Sequence, residues 1–267
     1  MFLARRILFY SMDKNNLNQS VIDEFSLPET LASYRQAVVN IGLWESEKIL
    51  LEKYFKPGSS VLDIGCGTGR TTVGIFKKGY QVIGLDITPA MIKVAQEISQ
   101  AEKLAINYEV GDATQLRFSD NEFDNALFSF NGWCQIPTAA ARQQALREAY
   151  RVIKPGGHFI FTSHIRRLAG GHWGSWARDW VKFKILKPLG YKLGALEFGD
   201  IFFTRTNPSA SSGYAKKQFI HIVGLAEVEI MIKAAGFNLV FSEYRNTIAP
   251  SDSKLESGNC RFFVCQK

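Results

Sequence analysis

Soft metal ligands are scarce in this sequence, with four cysteines and four histidines in 267 residues. Cys66, Cys134, Cys260 and Cys265 are scattered, and no CxxC pair occurs. Neither a disulfide framework nor a zinc site is expected, and the usage fits a reducing, cytoplasmic compartment. The cysteines read as small packing residues rather than nucleophiles or metal ligands. Long apolar runs are missing as well. No stretch reaches the ~18 residues a membrane-spanning helix requires, so no span is expected. The apolar run Ile7–Met12 is too short for a signal-peptide core, and Asp13 and Lys14 end it. Arg5-Arg6 has no long apolar stretch after it, and Met12 is an alternative first residue. Internal repeats and low-complexity tracts do not stand out.

What is present is a globular composition. Hydrophobic residues make up 46%, aromatics 13% and charged residues 21%, enough to bury a core and too apolar for a disordered chain. The length suits one large domain or one domain with an inserted lid. Lysine and arginine total 32 against 25 acids, a formal net charge of +7. That balance favours an acidic partner only weakly, and its distribution is more informative.

Residues 1–55 form an N-terminal segment that reads helical over Ser20–Tyr54, stopped by Lys56-Pro57-Gly58. An alternating pattern follows over residues 56–164. Short apolar strands are predicted at Ser60–Ile64, Tyr80–Asp86, Ala105–Val110, Phe123–Phe130 and His158–Ser163. Helices are predicted at Gly69–Lys78, from Thr88-Pro89 to about Lys103, and at Thr138–Ile153. Strands alternating with helices of this length imply βαβ units and a parallel sheet. The rhythm breaks at residues 165–218, which are rich in glycine, aromatics and basic residues. It resumes over 219–267 with a helix at Leu225–Ala235 and strands at Asn238–Tyr244 and Arg261–Cys265. Segment 165–218, with strands predicted at Ile201–Thr206 and Gln218–Val223 and a polar loop between them, reads as a lid inserted over the sheet.

The segment Val61–Arg70 is strand, glycine turn and helix. Glycines there let the backbone approach a ligand and tolerate positive φ. A dinucleotide site has the same outline, but two details differ. The spacing is G-x-G-x-G, with Arg70 where a third glycine would be needed. Asp63 also stands two residues before Gly65, where a carboxylate would repel a pyrophosphate and favour a cationic ligand. Asp86 ends the second strand 21 residues after Gly65, an offset that suits a ribose diol. Asp112 and Ala113 end the third strand, and Ser129–Gln135 follow the fourth into the same crevice.

The segments VLDIGCGTG (Val61–Gly69), GLDIT (Gly84–Thr88), GDATQL (Gly111–Leu116), FDNALFSF (Phe123–Phe130) and RVIKPGG (Arg151–Gly157) stand in the order and spacing of class I S-adenosylmethionine (SAM)-dependent methyltransferases. The chain resembles that family over about Lys56–His164, with a weaker likeness at Ala235-Gly236-Phe237. The resemblance implies a Rossmann-like doubly wound α/β sheet of about seven strands in the order 3-2-1-4-5-7-6, strand 7 antiparallel. It implies SAM as cofactor and S-adenosylhomocysteine as product. Cofactor contacts are expected from Asp63, Gly65, Cys66, Gly67, Asp86, Ile87, Asp112, Ala113 and Phe130.

The candidate bases for a methyl acceptor are His164, at the end of the fifth strand, and the rivals His221 and Tyr214. Each has a plainer reading as a loop or packing residue. Tyr34 and Trp44 are placed to cover the cofactor, although Trp44 reads first as core. Between Ile165 and Lys192 seven cations face one acid, a net +6, interleaved with Trp173, Trp176, Trp180, Phe183 and Tyr191. Such a segment suits nucleic acid, an anionic small molecule or a membrane surface. It equally suits a solvated helix face over a buried stripe of Trp176, Trp180 and Phe183. The leading expectation is methyl transfer to an O- or N-nucleophile of a small molecule, under a lid that supplies most of the acceptor pocket. An RNA or protein methyltransferase, or a SAM-binding protein without catalysis, stands as the alternative. The sequence after the fourth strand, Ser129–Trp133, carries no Asn-Pro-Pro-Tyr-type motif, and glycine spacing and Asp63 disfavour a dehydrogenase. No metal is expected, and nothing in the sequence sets the oligomeric state.

Overall fold

The computed structural model describes residues 14–166, 173–191, 197–204, 217–255 and 260–267. Three helices come first: α1 (Lys14–Phe25), α2 (Pro28–Asn40) and α3 (Glu45–Tyr54). The predicted single helical stretch is split because Pro28 opens a new helix and Gly42 turns with φ 61°. The alternating core follows as β1 (Ser60–Ile64), α4 (Arg70–Lys77), β2 (Gln81–Asp86), α5 (Pro89–Ala101), β3 (Asn107–Val110), β4 (Phe123–Phe128), α6 (Ala139–Val152) and β5 (Ile153–Ser163). The insertion contributes α7 (Trp173–Val181) and an antiparallel ribbon of β6 (Asp200–Thr204) and β7 (Lys217–His221). The chain closes with α8 (Leu225–Ala234), β8 (Asn238–Tyr244), α9 (Arg245–Ile248) and β9 (Arg261–Gln266).

The main sheet has seven strands in the order β3-β2-β1-β4-β5-β9-β8. β9 runs antiparallel between β5 and β8, the arrangement expected from the family resemblance. The order turns back between β1 and β4, and a crevice opens beyond the carboxyl ends of these strands. Two boundaries differ from expectation for local reasons. β4 stops at Phe128 because Phe130 and Asn131 take left-handed conformations, φ 56° and 62°. β5 begins at Ile153, so the Lys154-Pro155-Gly156-Gly157 helix stop already lies within the strand. Gly157 has no substitute there, since a Cβ would lie 2.1 Å from the Asp124 carbonyl oxygen.

Period-two alternation divides the core between the two faces of the sheet. Leu62, Phe159, Phe161 and Phe263 face α6 and α8, with the three phenylalanines stacked at centroid distances of 5.2 and 5.0 Å. Val61, Ile160, Phe262 and Val264 face the other way, onto Trp44, Leu50 and Leu51 around α3. α2 packs through Val38 against Val73 of α4 and Val94 and Ile98 of α5. The N-terminal helices are therefore built into the core.

Candidate active site

A cavity of about 620 Å³ opens where β1 and β4 end. Its floor is the turn after β1, with Gly65, Cys66 and Gly67 in the lining. Gly65 holds φ 64° and lies against the Phe128 ring, where a Cβ would fall 2.4 Å from Phe128 Cε2. Asp86 and Ile87 enter from the end of β2, Asp112 and Ala113 from the end of β3, and Phe130 from beyond β4. These eight sequence-predicted residues share one cavity.

Asp86 is tied to the glycine turn. Its Oδ2 accepts the Gly67 N–H at 2.9 Å, and its Oδ1 accepts the Thr88 N–H at 2.8 Å. The Thr88 side chain makes no cap bond at the start of α5. Burial raises the Asp86 carboxyl above its usual range, and the two N–H bonds pull it part of the way back. A carboxylate offers about four acceptor sites, so two bonds leave capacity for a ligand. Asp112 is held similarly, its Oδ1 accepting the Thr114 N–H at 2.7 Å.

Asp63 stands apart from this group. It is buried but does not line the cavity, contrary to the expectation that its charge faces the ligand. The reason is local: Oδ2 turns to α4 and accepts the hydroxyls of Thr71 and Thr72, both at 2.6 Å. Burial pushes this carboxyl up to about 7, against a partial pull from the two hydroxyls. The folded value then exceeds the unfolded one, so the native state binds the proton more tightly. The resulting stabilisation is complete below about pH 4 and is lost as pH rises through about 7. Asp63→Asn is expected to flatten this dependence and to stabilise the fold at about pH 8, by on the order of 4 kcal/mol at most. Urea midpoints of both proteins at acidic and alkaline pH check this, and parallel pH profiles would refute it.

Neither candidate histidine, His164 or His221, is in the cavity lining. His164 is half-buried, and burial and the nearby Arg245 charge lower its imidazole below the usual value. Residues 131–134 fold against the end of β5. There the Asn131 N–H meets Thr162 Oγ1 at 2.7 Å, and Cys134 Sγ lies 3.0 Å from Ser163 Oγ. His221, only 1% exposed, is bound through Nδ1 to Asp200 Oδ1 at 2.7 Å and faces a separate groove beside α7. Tyr214 lies outside the described residues.

The described part of the roof comes from outside the insertion. Among the described residues, none from 165–218 lines the cavity. The roof is made by α1 and α2, the Trp44 loop, and a turn near Leu255. Phe25, Tyr34, Phe130 and Trp44 form a continuous aromatic wall, with successive centroid distances of 5.7, 5.8 and 5.3 Å. The Leu255 turn is pinned by Asp252, which accepts the Glu45 N–H, the Ser46 N–H and the Ser46 hydroxyl at 3.1, 3.0 and 2.6 Å. The insertion braces the cavity from behind. Glu197 accepts the Ala139 N–H at 2.8 Å and pairs with buried Arg142 at 2.8 Å, while Arg142 donates to the Ile136 carbonyl at 3.0 Å. Ile136 lines the cavity.

Glu197, Asp200 and His221 each bring a ligand atom within 4.8 Å of the others, a spacing that can hold a cation. Their oxygens already accept Ala139 N–H, Glu197 N–H and the His221 ring, and Arg142 supplies positive charge. The cluster is accounted for as an ion-pair network.

Sequence reasoning missed the partner of Arg70. This guanidinium donates to Glu47 at 2.8 and 2.7 Å and to the Gly42 carbonyl at 2.6 Å, and lies 4.8 and 5.4 Å from the Trp44 and Phe130 ring centres. Glu47 also accepts the Trp44 N–H at 2.7 Å and the Ser129 hydroxyl. A charged residue opening a helix inside an apolar site was the available signal, because such a charge requires a buried partner.

The fold and site define a Rossmann-like nucleoside-binding domain whose glycine turn is backed by an acid at the end of β2. Residues 62–161 match the family model described as a methyltransferase domain. A demethylmenaquinone methyltransferase from Symbiobacterium thermophilum is 36% identical over 130 residues, 46% of this chain and 50% of that one. A ubiquinone/menaquinone biosynthesis C-methyltransferase, UbiE, from Dinoroseobacter shibae is 30% identical over 190 residues, 70% of this chain and 68% of that one. This chain thus spans about half the length of the first of these relatives and two-thirds of the second. Among solved structures, a SAM-dependent methyltransferase from Methanosarcina mazei superposes with a TM-score of 0.64 at 20% identity, covering 85% of this chain and 99% of that one. The 1,6-didemethyltoxoflavin-N1-methyltransferase of Burkholderia thailandensis, with S-adenosylhomocysteine bound, gives a TM-score of 0.63 at 13% identity over 100% and 98% of the two chains. The chain belongs to the class I SAM-dependent methyltransferase family.

Proposed function

We propose that this chain is an enzyme that holds SAM on the glycine turn and methylates a ring carbon of a small, planar, largely apolar acceptor of the quinol type. The aromatic wall of Phe25, Tyr34, Phe130 and Trp44 carries the acceptor part of this reading. It offers flat apolar faces in the same cavity as the glycine turn.

The chemistry of the lining supports the cofactor part. Asp86 and Asp112 give the turn negative character, and the charge of Arg70 in the lining is paired to Glu47. Such a surface repels a pyrophosphate and suits a cationic nucleoside. In this reading Asp86 takes the ribose hydroxyls, Asp112 and Ala113 meet the adenine edge, and Gly65 and Gly67 lie along the methionine portion. Bound SAM supplies an activated methyl on its sulfonium. The chain's own part is then alignment of the acceptor and exclusion of water by the helical roof.

The relative from Dinoroseobacter shibae bears the name of a C-methyltransferase of ubiquinone/menaquinone biosynthesis, which moves the expected nucleophile from oxygen or nitrogen to carbon. A quinol becomes carbon-nucleophilic when a ring hydroxyl loses its proton to solvent; the carbon takes the methyl as the sulfonium becomes the neutral thioether, and loss of the ring-carbon proton to solvent restores the aromatic ring. Lys254 in the lining supplies positive charge for the resulting oxyanion, and no imidazole is required in the cavity. The test is turnover of methyl-labelled SAM with a short-chain naphthoquinol lacking its ring methyl, offered reduced and oxidised. Label on the ring carbon of the reduced form is expected. Label on a ring oxygen, or no turnover above the acceptor-free blank, would refute the reading.

A further inference from the structure

The insertion turns outward several side chains that a helical pattern would bury. Trp176 and Phe183 do pack on Phe198, at 6.1 and 6.5 Å. Trp180, the middle member of the expected buried stripe, is instead 49% exposed. Val181, Ile185, Leu189 and Tyr191 are exposed with it, Leu189 to 72%. Among the described residues, five of the twelve exposed large hydrophobic side chains fall within 180–191. Scattered single exposures are ordinary on a soluble protein, but such a concentration in one segment marks an interaction surface.

The same segment is basic. Arg178, Lys184 and Lys187 are exposed, and the one acid among residues 173–191, Asp179, is shared between Lys182 at 3.2 Å and Arg178 at 3.7 Å. The helix continues past Val181 into a wider turn over Lys182–Leu186, so cations and apolar side chains alternate along one continuous stretch. Lysine and arginine can keep their charges in water while their stems lie along apolar surface.

We propose that segment 178–191 is an interfacial anchor that docks this protein on an anionic phospholipid surface. Charge complementarity commits it to that partner: an anionic headgroup layer meets the cations while Trp180, Ile185, Leu189 and Tyr191 enter the headgroup–acyl boundary. Single-stranded nucleic acid fits less well, because Val181, Ile185 and Leu189 are aliphatic and offer no ring for base stacking. No helix among the described residues is long and apolar enough to cross a membrane, so the contact is peripheral. The inference does not depend on the acceptor proposed above.

The test is co-sedimentation of the full chain with vesicles of phosphatidylcholine alone and of equimolar phosphatidylcholine and phosphatidylglycerol. Partition to the anionic vesicles, reduced by added salt, is expected. Combined Lys184→Gln and Lys187→Gln should weaken it roughly 30-fold. Combined Ile185→Ser and Leu189→Ser should weaken it roughly tenfold or more at unchanged charge. Both variants alter exposed residues and should keep their affinity for S-adenosylhomocysteine, which shows that they are folded. The proposal is overturned by absent or equal partition to the two vesicle types, by variants that partition like the parent chain, or by retention on an RNA oligonucleotide without vesicle binding.

Discussion

Glu47→Ala is expected to destabilise the protein by about 3–5 kcal/mol, a large share of a typical domain's total stability. The cost arises from what remains. The Arg70 side chain is 8% exposed and that of Glu47 is fully buried. Burial alone would lower the Arg70 guanidinium, and the Glu47 carboxylate outweighs that and raises it. Without Glu47, a desolvated cation keeps only the Gly42 carbonyl and the two aromatic faces, and the Trp44 N–H and Ser129 hydroxyl lose their acceptor. Exchanging the whole pair, Glu47→Leu with Arg70→Met, should cost far less than Glu47→Ala, since it leaves no unpaired charge. Urea denaturation of the three proteins measures this. A loss below about 1 kcal/mol for Glu47→Ala would show that the pair does not secure the roof.

The parts of the site that were legible in the sequence are those whose chemistry is local. Gly65, Gly67 and Asp86 announce themselves because a turn with positive φ admits few residues and an acid at a strand end is close in sequence to what it serves. The strand order came with the family resemblance, since no local signal places β9 between β5 and β8. The roof was legible only in part, as Tyr34 and Trp44. Its anchor joins Glu47 to Arg70 and to Ser129, contacts that only the folded chain brings together. Phe130 and Asn131 read as the end of a strand and its exit, and their left-handed backbone was not visible in residue type. The histidines show the opposite error. A strand-end position suggested that His164 faces the crevice, yet it is not in the cavity lining, and the loop over residues 131–134 folds against that end of β5. The insertion was recognised as an irregular basic segment, and its described residues lie outside the cavity lining. Its length and composition gave no indication that Glu197 would reach Arg142 on the far side of the cavity wall.

Asp86→Ala carries the second large expectation. Asp86 fastens the glycine turn to the start of α5 through Gly67 and Thr88, and it lines the cavity with acceptor capacity to spare. Hydrogen bonds to a charged acceptor contribute about 1.5–3 kcal/mol each, so losing two to a ribose diol corresponds to roughly 100-fold or more in affinity. Asp86→Asn, which keeps an acceptor and loses the charge, should fall between the two. Because the Gly67 and Thr88 N–H groups also lose their acceptor, Asp86→Ala should unfold at a lower temperature, and a variant still folded at the assay temperature shows that the lost affinity is not unfolding. The direct measurement is calorimetric titration of S-adenosylhomocysteine into the parent chain and Asp86→Ala, with NAD as the phosphate-bearing control. Binding of the thioether nucleoside to the parent, its loss in the variant and no response to NAD are predicted. Equal binding to both proteins, or a parent chain that takes NAD and ignores S-adenosylhomocysteine, would contradict the account.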